Sequence, residues 1–453
     1  MDMNARITIK RGLWVLLSIG IWMPEVGRAQ SGWTVEECMR YAVEHNFRIR
    51  NRRLDSKMAR TDVAAGYGDF LPSIQITGAS GKREGRSVDP RTNQYTSESF
   101  LENSFGLNLS LSLFEGFARI NRLQFYKLNG KMSAFTEKME ENGVAFRVLE
   151  AFYCYCFDEK LYELAMKQRK QSERYYEQML AYIDLGLRSR SDLQEVKARL
   201  QADIYQETVK SNNCRLSLLT LKELMGLKDT DTLSVCVADG QGTPDASLSL
   251  SLDDLCASAE SSLPEFNVMK MREEASHELV AVACGSLWPS VRMEFNLGSG
   301  YYDTEKEESG KTVPFCEQWN NNKSRYIGVC VSLPLFDGLS RLKNIRKEKL
   351  RLQQVRNENE QQRLSLYKEM HDAYFSFRAT SDERLRADEQ LRAAAITWEE
   401  SEEKWKEGMV SVFELLEKRN RYMQAKAEVV RTGLQHDLKS RMVRFYQAGT
   451  FLE

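Results

Sequence analysis

Between Phe105 and Phe114 the chain alternates: Phe105, Leu107, Leu109, Leu111 and Leu113 are apolar, with Gly106, Asn108, Ser110 and Ser112 between them. That period of two predicts a strand with one apolar face. Ile327, Val329, Val331, Leu333 and Leu335 repeat the pattern against Gly328, Cys330, Ser332 and Pro334. Val291, Met293, Phe295 and Leu297 do so against Arg292, Glu294, Asn296 and Gly298, and Ile74 and Ile76 begin a weaker fourth case. Each run is about 10 residues long, enough to cross a bilayer at a tilt. Phe70, Phe114, Trp288 and Phe336 lie toward one end of the runs, and Phe100, Tyr301, Tyr302 and Tyr326 toward the other. Two such bands fit aromatic girdles at the membrane interfaces. A half-buried soluble sheet is the plainer alternative.

Elsewhere the period is that of a helix. Tyr175, Met179 and Tyr182 form one apolar stripe, and Leu193, Val196, Leu200 and Ile204 another, with charged residues on the opposite faces. A soluble coiled-coil rod would show the same stripes. It would not explain strand pairs at the helix ends.

The pattern occurs twice. "LSLFEGFAR" (Leu111–Arg119) returns as "LPLFDGLSR" (Leu333–Arg341), an offset of 222 residues. The same offset carries Gly106 to Gly328, Phe114 to Phe336, Gly116 to Gly338, Gly186 to Gly408, Ser189 to Ser411 and Asp192 to Glu414. Upstream, an offset of 217 carries Pro72 to Pro289 and "TVEECMRYA" (Thr34–Ala42) to "SLDDLCASA" (Ser251–Ala259). Agreement over several ordered blocks identifies two copies of one unit, residues 33–226 and 251–446, joined by a Gly/Asp/Ser/Thr-rich connector at 227–250 and followed by a tail at 447–453. Each unit is predicted to hold a helix of about 35 residues, Val35 to Tyr67 or Leu252 to Cys284, capped by Thr34 or Ser251. A β-hairpin follows, over 73–114 or 290–336, with a long polar loop. A helix of about 70 residues then reaches a glycine turn, near 186–192 or 408–414, and another of about 35 returns. At 1.5 Å per residue, the longest helix would span about 105 Å.

Four strands cannot close a membrane barrel, and open edges in lipid would leave backbone groups unsatisfied. The strands therefore imply an oligomer, and two, three or four chains would serve equally by multiplication.

The chain has 453 residues, 28% of them charged and 42% hydrophobic, a formal net charge of -1 and eight prolines. The charge balance argues against a nucleic-acid partner. Arg6, Lys10 and Arg11, the apolar run Gly12–Trp22 and the small residues Gly27 and Ala29 read as a signal peptide over 1–29. No later segment has the 18 consecutive apolar residues of a membrane helix. The nine cysteines are irregularly spaced with no CxxC pair, so neither a metal nor a redox site is expected. The four histidines, His45, His277, His371 and His436, stand apart on helical stretches without a phosphate loop or nucleophile motif. No enzyme and no cofactor is expected.

The duplicated helix, hairpin, LFxG and long-helix order, with "GLRSRSDLQEVKARL" and "GMVSVFELLEKRNRY", resembles the TolC-like outer-membrane efflux proteins. The likeness covers essentially the whole mature chain. It implies a mainly α fold with a membrane β-barrel portion: a homotrimer whose 12-stranded barrel continues into a periplasmic α-helical barrel. It implies the exit duct of a tripartite efflux or type I secretion system, working with a periplasmic adaptor and an inner-membrane RND-type or ABC-type transporter. By resemblance Gly186, Arg188, Ser189, Arg190, Asp192, Gly408, Ser411 and Glu414 would lie at the periplasmic tip, as gate and adaptor contact. Phe114, Gly116, Phe336 and Gly338 would mark the junction of strand and helix. Asn108, Ser110, Arg292 and Glu294 would line the barrel lumen, with the apolar faces toward outer-membrane lipid. The tips depart from each other: Arg188 and Arg190 in the first stand where the second has Val410 and Val412. A secreted coiled-coil structural or adhesive protein is the competing reading, and it predicts no strands in a membrane.

Overall fold

A computed structural model describes residues 32–88, 93–96, 99–235, 251–307 and 310–452. The expected signal peptide, Cys236 and most of the connector lie outside the described residues.

The first unit runs α1 (Val35–His45), α2 (Phe47–Gly68), β1 (Ser73–Arg83), a small ribbon of β2 (Ser87–Val88) and β3 (Tyr95–Thr96), β4 (Phe100–Glu115), α3 (Ala118–Asp184) and α4 (Arg190–Met225). The second runs α5 (Leu252–Ser262), α6 (Pro264–Gly285), β5 (Ser290–Tyr302), α7 (Phe315–Asn321), β6 (Ser324–Ser332), α8 (Ser340–Lys406) and α9 (Val412–Ala448). Both α3 and α8 have 67 residues.

The single first helix expected in each unit is two helices. Asn46 takes an extended conformation (φ -66°, ψ 132°), and its side chain accepts from the Arg48 amide and donates to the Leu224 carbonyl at 2.9 Å. Leu263 makes the equivalent break (φ -72°, ψ 131°), because Pro264 disfavours a helical residue before it. Each break turns α1 or α5 onto a core of its own. Cys38 and Ala42 pack with Val148, Tyr155 and Leu221; Leu255 and Ala259 pack with Met370, Phe377 and Val443. The two offsets of the sequence repeat carry the first cluster onto the second.

The four long strands form one antiparallel sheet in the order β1-β4-β5-β6. The helices that continue them pack in the same order, α2 on α3, α3 on α6 and α6 on α8. Every strand of the sheet is thus followed or preceded by its own helix in one packed row.

Candidate functional site: the sheet faces, the junctions and the helical turns

Residues directly opposite one another in an antiparallel sheet share a face. One row joins Gln75, Asn108, Asn296 and Tyr326; the next even row joins Ser73, Ser110, Glu294 and Gly328; a third joins Ser112, Arg292 and Cys330. Asn108, Ser110, Arg292 and Glu294 therefore occupy one polar face. The alternating rows are apolar: Ile74, Leu109, Phe295 and Ile327, then Leu111, Met293 and Val329. In the single chain much of this apolar face is open to solvent, with Ile76 82% and Ile327 67% exposed.

Three of the aromatics in the band of Phe100, Tyr301, Tyr302 and Tyr326 sit on the polar face. Phe100 and Tyr302 belong to polar-face rows and meet edge to face at 6.4 Å. Tyr326 lies over Gly328, where a Cβ would come within 2.3 Å of its hydroxyl. Tyr301 and Phe105 are on the apolar side and contact Phe315 of α7. Beside them Gln318, fully buried, donates to the carbonyl of Tyr302 and accepts from its amide, occupying the backbone where β6 stops short.

The register slips between Ser112 and Phe114, leaving Leu113 as a bulge. The extra residue returns Phe114 to the apolar face opposite Val291. Arg119, buried at the start of α3, donates to the carbonyl of Ser112 at this bulge and to that of Asp69 at the end of α2. Sequence reasoning noted Arg119 only as a repeat match; the adjacent Leu113 and Phe114, which break the alternation, were the available sign of the bulge.

The second hairpin is shorter than expected. β6 ends at Ser332, which pairs with Ser290, the first residue of β5. Beyond it Leu333–Phe336 have no strand to pair with, and Phe336 is 81% exposed. Both junctions then use two consecutive left-handed residues: Gly116 (φ 59°) with Phe117 (φ 63°), and Gly338 (φ 65°) with Leu339 (φ 66°). A Cβ at Gly116 would lie 2.1 Å from the Gly285 carbonyl, so only glycine permits that contact.

At the far ends of α3 and α8 the turns match closely. Gly186 (φ 73°) and Gly408 (φ 78°) end the helices; the Leu187 amide donates to Tyr182 and the Met409 amide to Lys404, both at 2.8 Å. Ser189 and Asp192 form a reciprocal capping box at the start of α4. Ser411 caps α9 by accepting from the Glu414 amide at 3.2 Å. Arg188 approaches the second turn near Gly408. Val412 is buried with Tyr175, Met179 and Trp405, so it holds the two turns together rather than presenting itself at the surface. The exposed apolar side chains are instead Leu185, Leu187, Met409 and Phe413.

Some 11 residues above the second turn, Arg419 is fully buried against Asp203 (2.5 Å) and Ser172 (2.7 Å). Gln168 donates to the other carboxylate oxygen of Asp203, and Arg199 pairs with it at 3.2 Å. Burial lowers the Arg419 pKa, while Asp203 opposes the shift. This cluster ties α3 and α4 to α9 and could not be found from sequence spacing.

Among the described residues no helix is long and apolar enough to cross a membrane, and no His/Cys/Asp/Glu group could hold a metal ion.

The outer membrane efflux protein family model matches residues 39–227 and 255–447. The outer membrane protein TolC of Vibrio cholerae is 20% identical over 278 residues, covering 61% of this chain and 59% of that protein. Among solved structures, the Campylobacter jejuni CmeC outer membrane channel aligns with a TM-score of 0.77 at 14% identity, covering 92% of this chain and 86% of that one. The outer membrane protein VceC of Vibrio cholerae aligns with a TM-score of 0.76 at 12% identity, covering 92% and 97%. At these identities the structural matches establish the fold.

Proposed function

The chain belongs to the outer membrane efflux protein family, and on that premise we propose that three copies form a passive exit duct across the outer membrane and into the periplasm. Its place is the outer membrane. The observation that carries the duct is the sheet: one face apolar, one polar, both edges open, and each strand continued by a wall helix in the same order. Three such sheets supply 12 strands, enough for a closed barrel. Asn108, Ser110, Arg292 and Glu294 then face the water-filled interior, and the rows of Ile74 and Leu111 face lipid.

The glycine turns form the periplasmic tip. There Gly186, Arg188, Ser189, Arg190 and Asp192 of one hairpin stand beside Gly408, Ser411 and Glu414 of the other. Leu185, Leu187, Met409 and Phe413 add an exposed apolar rim suited to a periplasmic adaptor. The adaptor would join the duct to an RND-type or ABC-type transporter in a tripartite efflux or type I secretion system. Gating belongs to the tip, where the hairpins constrict the path.

Purified protein reconstituted in planar bilayers tests this. The expected result is a trimer by native mass with discrete ion conductance. Disulfides joining the 186–192 turns to neighbouring helices should lower conductance and leave trimers intact. A protein soluble without detergent and silent in bilayers would defeat the duct. Unchanged conductance after efficient crosslinking would defeat the gate.

A further inference from the structure

A helix as short as α7, with seven residues, does not hold its shape alone. Four hydrogen bonds pin it to β5. Gln318 accepts from the Tyr302 amide and donates to the Tyr302 carbonyl, Asn322 donates to the Gly300 carbonyl at 2.9 Å, and the Ser299 hydroxyl donates to the Trp319 carbonyl at 2.8 Å. Ser299 lies opposite Phe105, on the apolar face of the sheet. That bond draws α7 over the apolar face. Phe315 and Trp319, one helical turn apart, pack there with Phe105 and Tyr301, neighbouring rings standing 5.2 to 5.9 Å apart. The cluster does not close on itself: Phe315 stays 44% and Trp319 38% exposed.

Arg325 stands beside this cluster. It pairs with Leu297 in the row of Ile76 and Leu107, so it belongs to the apolar face, and it is exposed. Ser299 is its diagonal neighbour, at about 7–8 Å. Among the described residues Arg325 has no hydrogen-bond or ion-pair partner. A cation on the lipid face of a barrel is strongly disfavoured at the bilayer midplane and nearly free of cost at an interface. The depth agrees with an interface. Leu297 lies nine residues past the exposed Trp288. At about 3.4 Å per residue and a tilt of about 40°, that is about 23 Å along the membrane normal, against an apolar band of about 25 Å. With Trp288 at the inner interface, Arg325 arrives at the outer one, and α7 stands just beyond it.

We propose that α7 is an outer-leaflet anchor: Phe315 and Trp319 enter the boundary between acyl chains and headgroups, and Arg325 takes the phosphate of an anionic lipid. This anchor rests on the lipid-facing sheet proposed above and goes beyond it in naming the groups that grip the leaflet. The surface continues the apolar rows without a step, and tryptophan suits a site apolar at one end and wet at the other. The free guanidinium matches a phosphate in charge and in its fork of donors. Another copy of the chain added at a sheet edge extends the sheet in its plane and leaves this face open. The buried Gln318 gains a reason as well. Without it the Tyr302 backbone, at a level where β6 has not begun, would face lipid with its hydrogen bonds unmade.

Tryptophan quenching by lipids brominated along the acyl chain tests this, with the full-length protein in bilayers. Brominated phosphatidylcholine should quench the wild type more than Trp319→Phe. Brominated phosphatidylglycerol should produce the same Trp319-dependent quenching at about fivefold lower mole fraction, the preference expected of one arginine at an anionic surface. Arg325→Gln should abolish that preference and keep the quenching. Ile327→Trp, in the Trp319→Phe background, reports whether the apolar rows meet lipid at all. If it is not quenched, the lipid-facing sheet and the duct fall. If it is quenched while Trp319→Phe matches the wild type, the anchor is overturned and the duct stands. Equal quenching by the two lipids, or a preference that survives Arg325→Gln, overturns the phosphate contact. Loss of trimers by native mass in Arg325→Gln, with the lipid preference intact, gives the guanidinium to another copy of the chain and overturns it too.

Discussion

Replacing Asp203 by leucine should loosen the helical half of the molecule more than any surface change. Arg419 is fully buried, and its guanidinium meets one carboxylate, one hydroxyl and one distant carbonyl, while its Nε lacks a partner. Asp203→Leu leaves that cation in the interior without its counter-charge. Breaking one side of a buried pair costs about 3–5 kcal/mol, because the remaining charge stays desolvated. Local opening of the α3, α4 and α9 segment should become at least about 100-fold more frequent, at about 1.4 kcal/mol per decade. Hydrogen exchange of peptides around Ser172, Asp203 and Arg419 reads this directly, with peptides around Val148 as the internal standard. The double variant Asp203→Leu with Arg419→Met removes both charges at similar volume and should recover most of the loss. A double variant as labile as Asp203→Leu alone would refute the electrostatic reasoning and leave shape as the cause. Wild-type exchange in Asp203→Leu would show that water reaches the pair.

Gly116→Ala should prevent the strand and helix from joining correctly, since the added carbon would overlap the Gly285 carbonyl; loss of folded protein in detergent extracts is the expected readout. Ser189→Ala and Ser411→Ala should each cost about 1 kcal/mol at a helix start. Faster amide exchange at Asp192 and Glu414 would register it, with the larger change at the reciprocal Ser189 box. Burial, helped by neighbouring glutamates, pushes the thiols of Cys38 and Cys156 up to about 12. At pH 8 only about one part in 10,000 of either is thiolate, and maleimide should reach them only after unfolding, while exposed Cys316 labels at once.

The strands were readable because a period of two survives wherever one face is apolar, and the repeat was readable because both junctions need glycine and aromatic residues at fixed spacing. The break at Leu263 was also written, as Leu-Pro, but a helical pattern on both sides concealed it. Asn46 gave less warning, since asparagine is tolerated on a polar helix and only its bond to Leu224 reveals the turn. The faces of Phe100, Tyr302 and Tyr326 were misread because position along a strand was taken without its parity. Asp203 and Arg419 stand 216 residues apart on different helices, each an ordinary charge in its own segment. No local spacing connects them. The turn glycines and caps were legible; the buried Val412 and the exposed Leu185, Leu187, Met409 and Phe413 were not, because which side of a turn faces inward depends on the second hairpin.

The unbroken helices α3 and α8 have a mechanical meaning. Each reaches from a strand junction to a glycine turn, about 100 Å at 1.5 Å per residue. The core around Val144–Cys156 grips α3 near its middle, with arms of roughly 40 Å to either side. A stiff lever held at its midpoint moves its two ends by equal and opposite amounts. The upper end is continuous with a hydrogen-bonded strand and has little travel. Any displacement at the turn must therefore be taken up as curvature in the lower arm, between the central core and the buried arginine. In the duct proposed above, the stiffness of that stretch would set how far the turns part for a given pull.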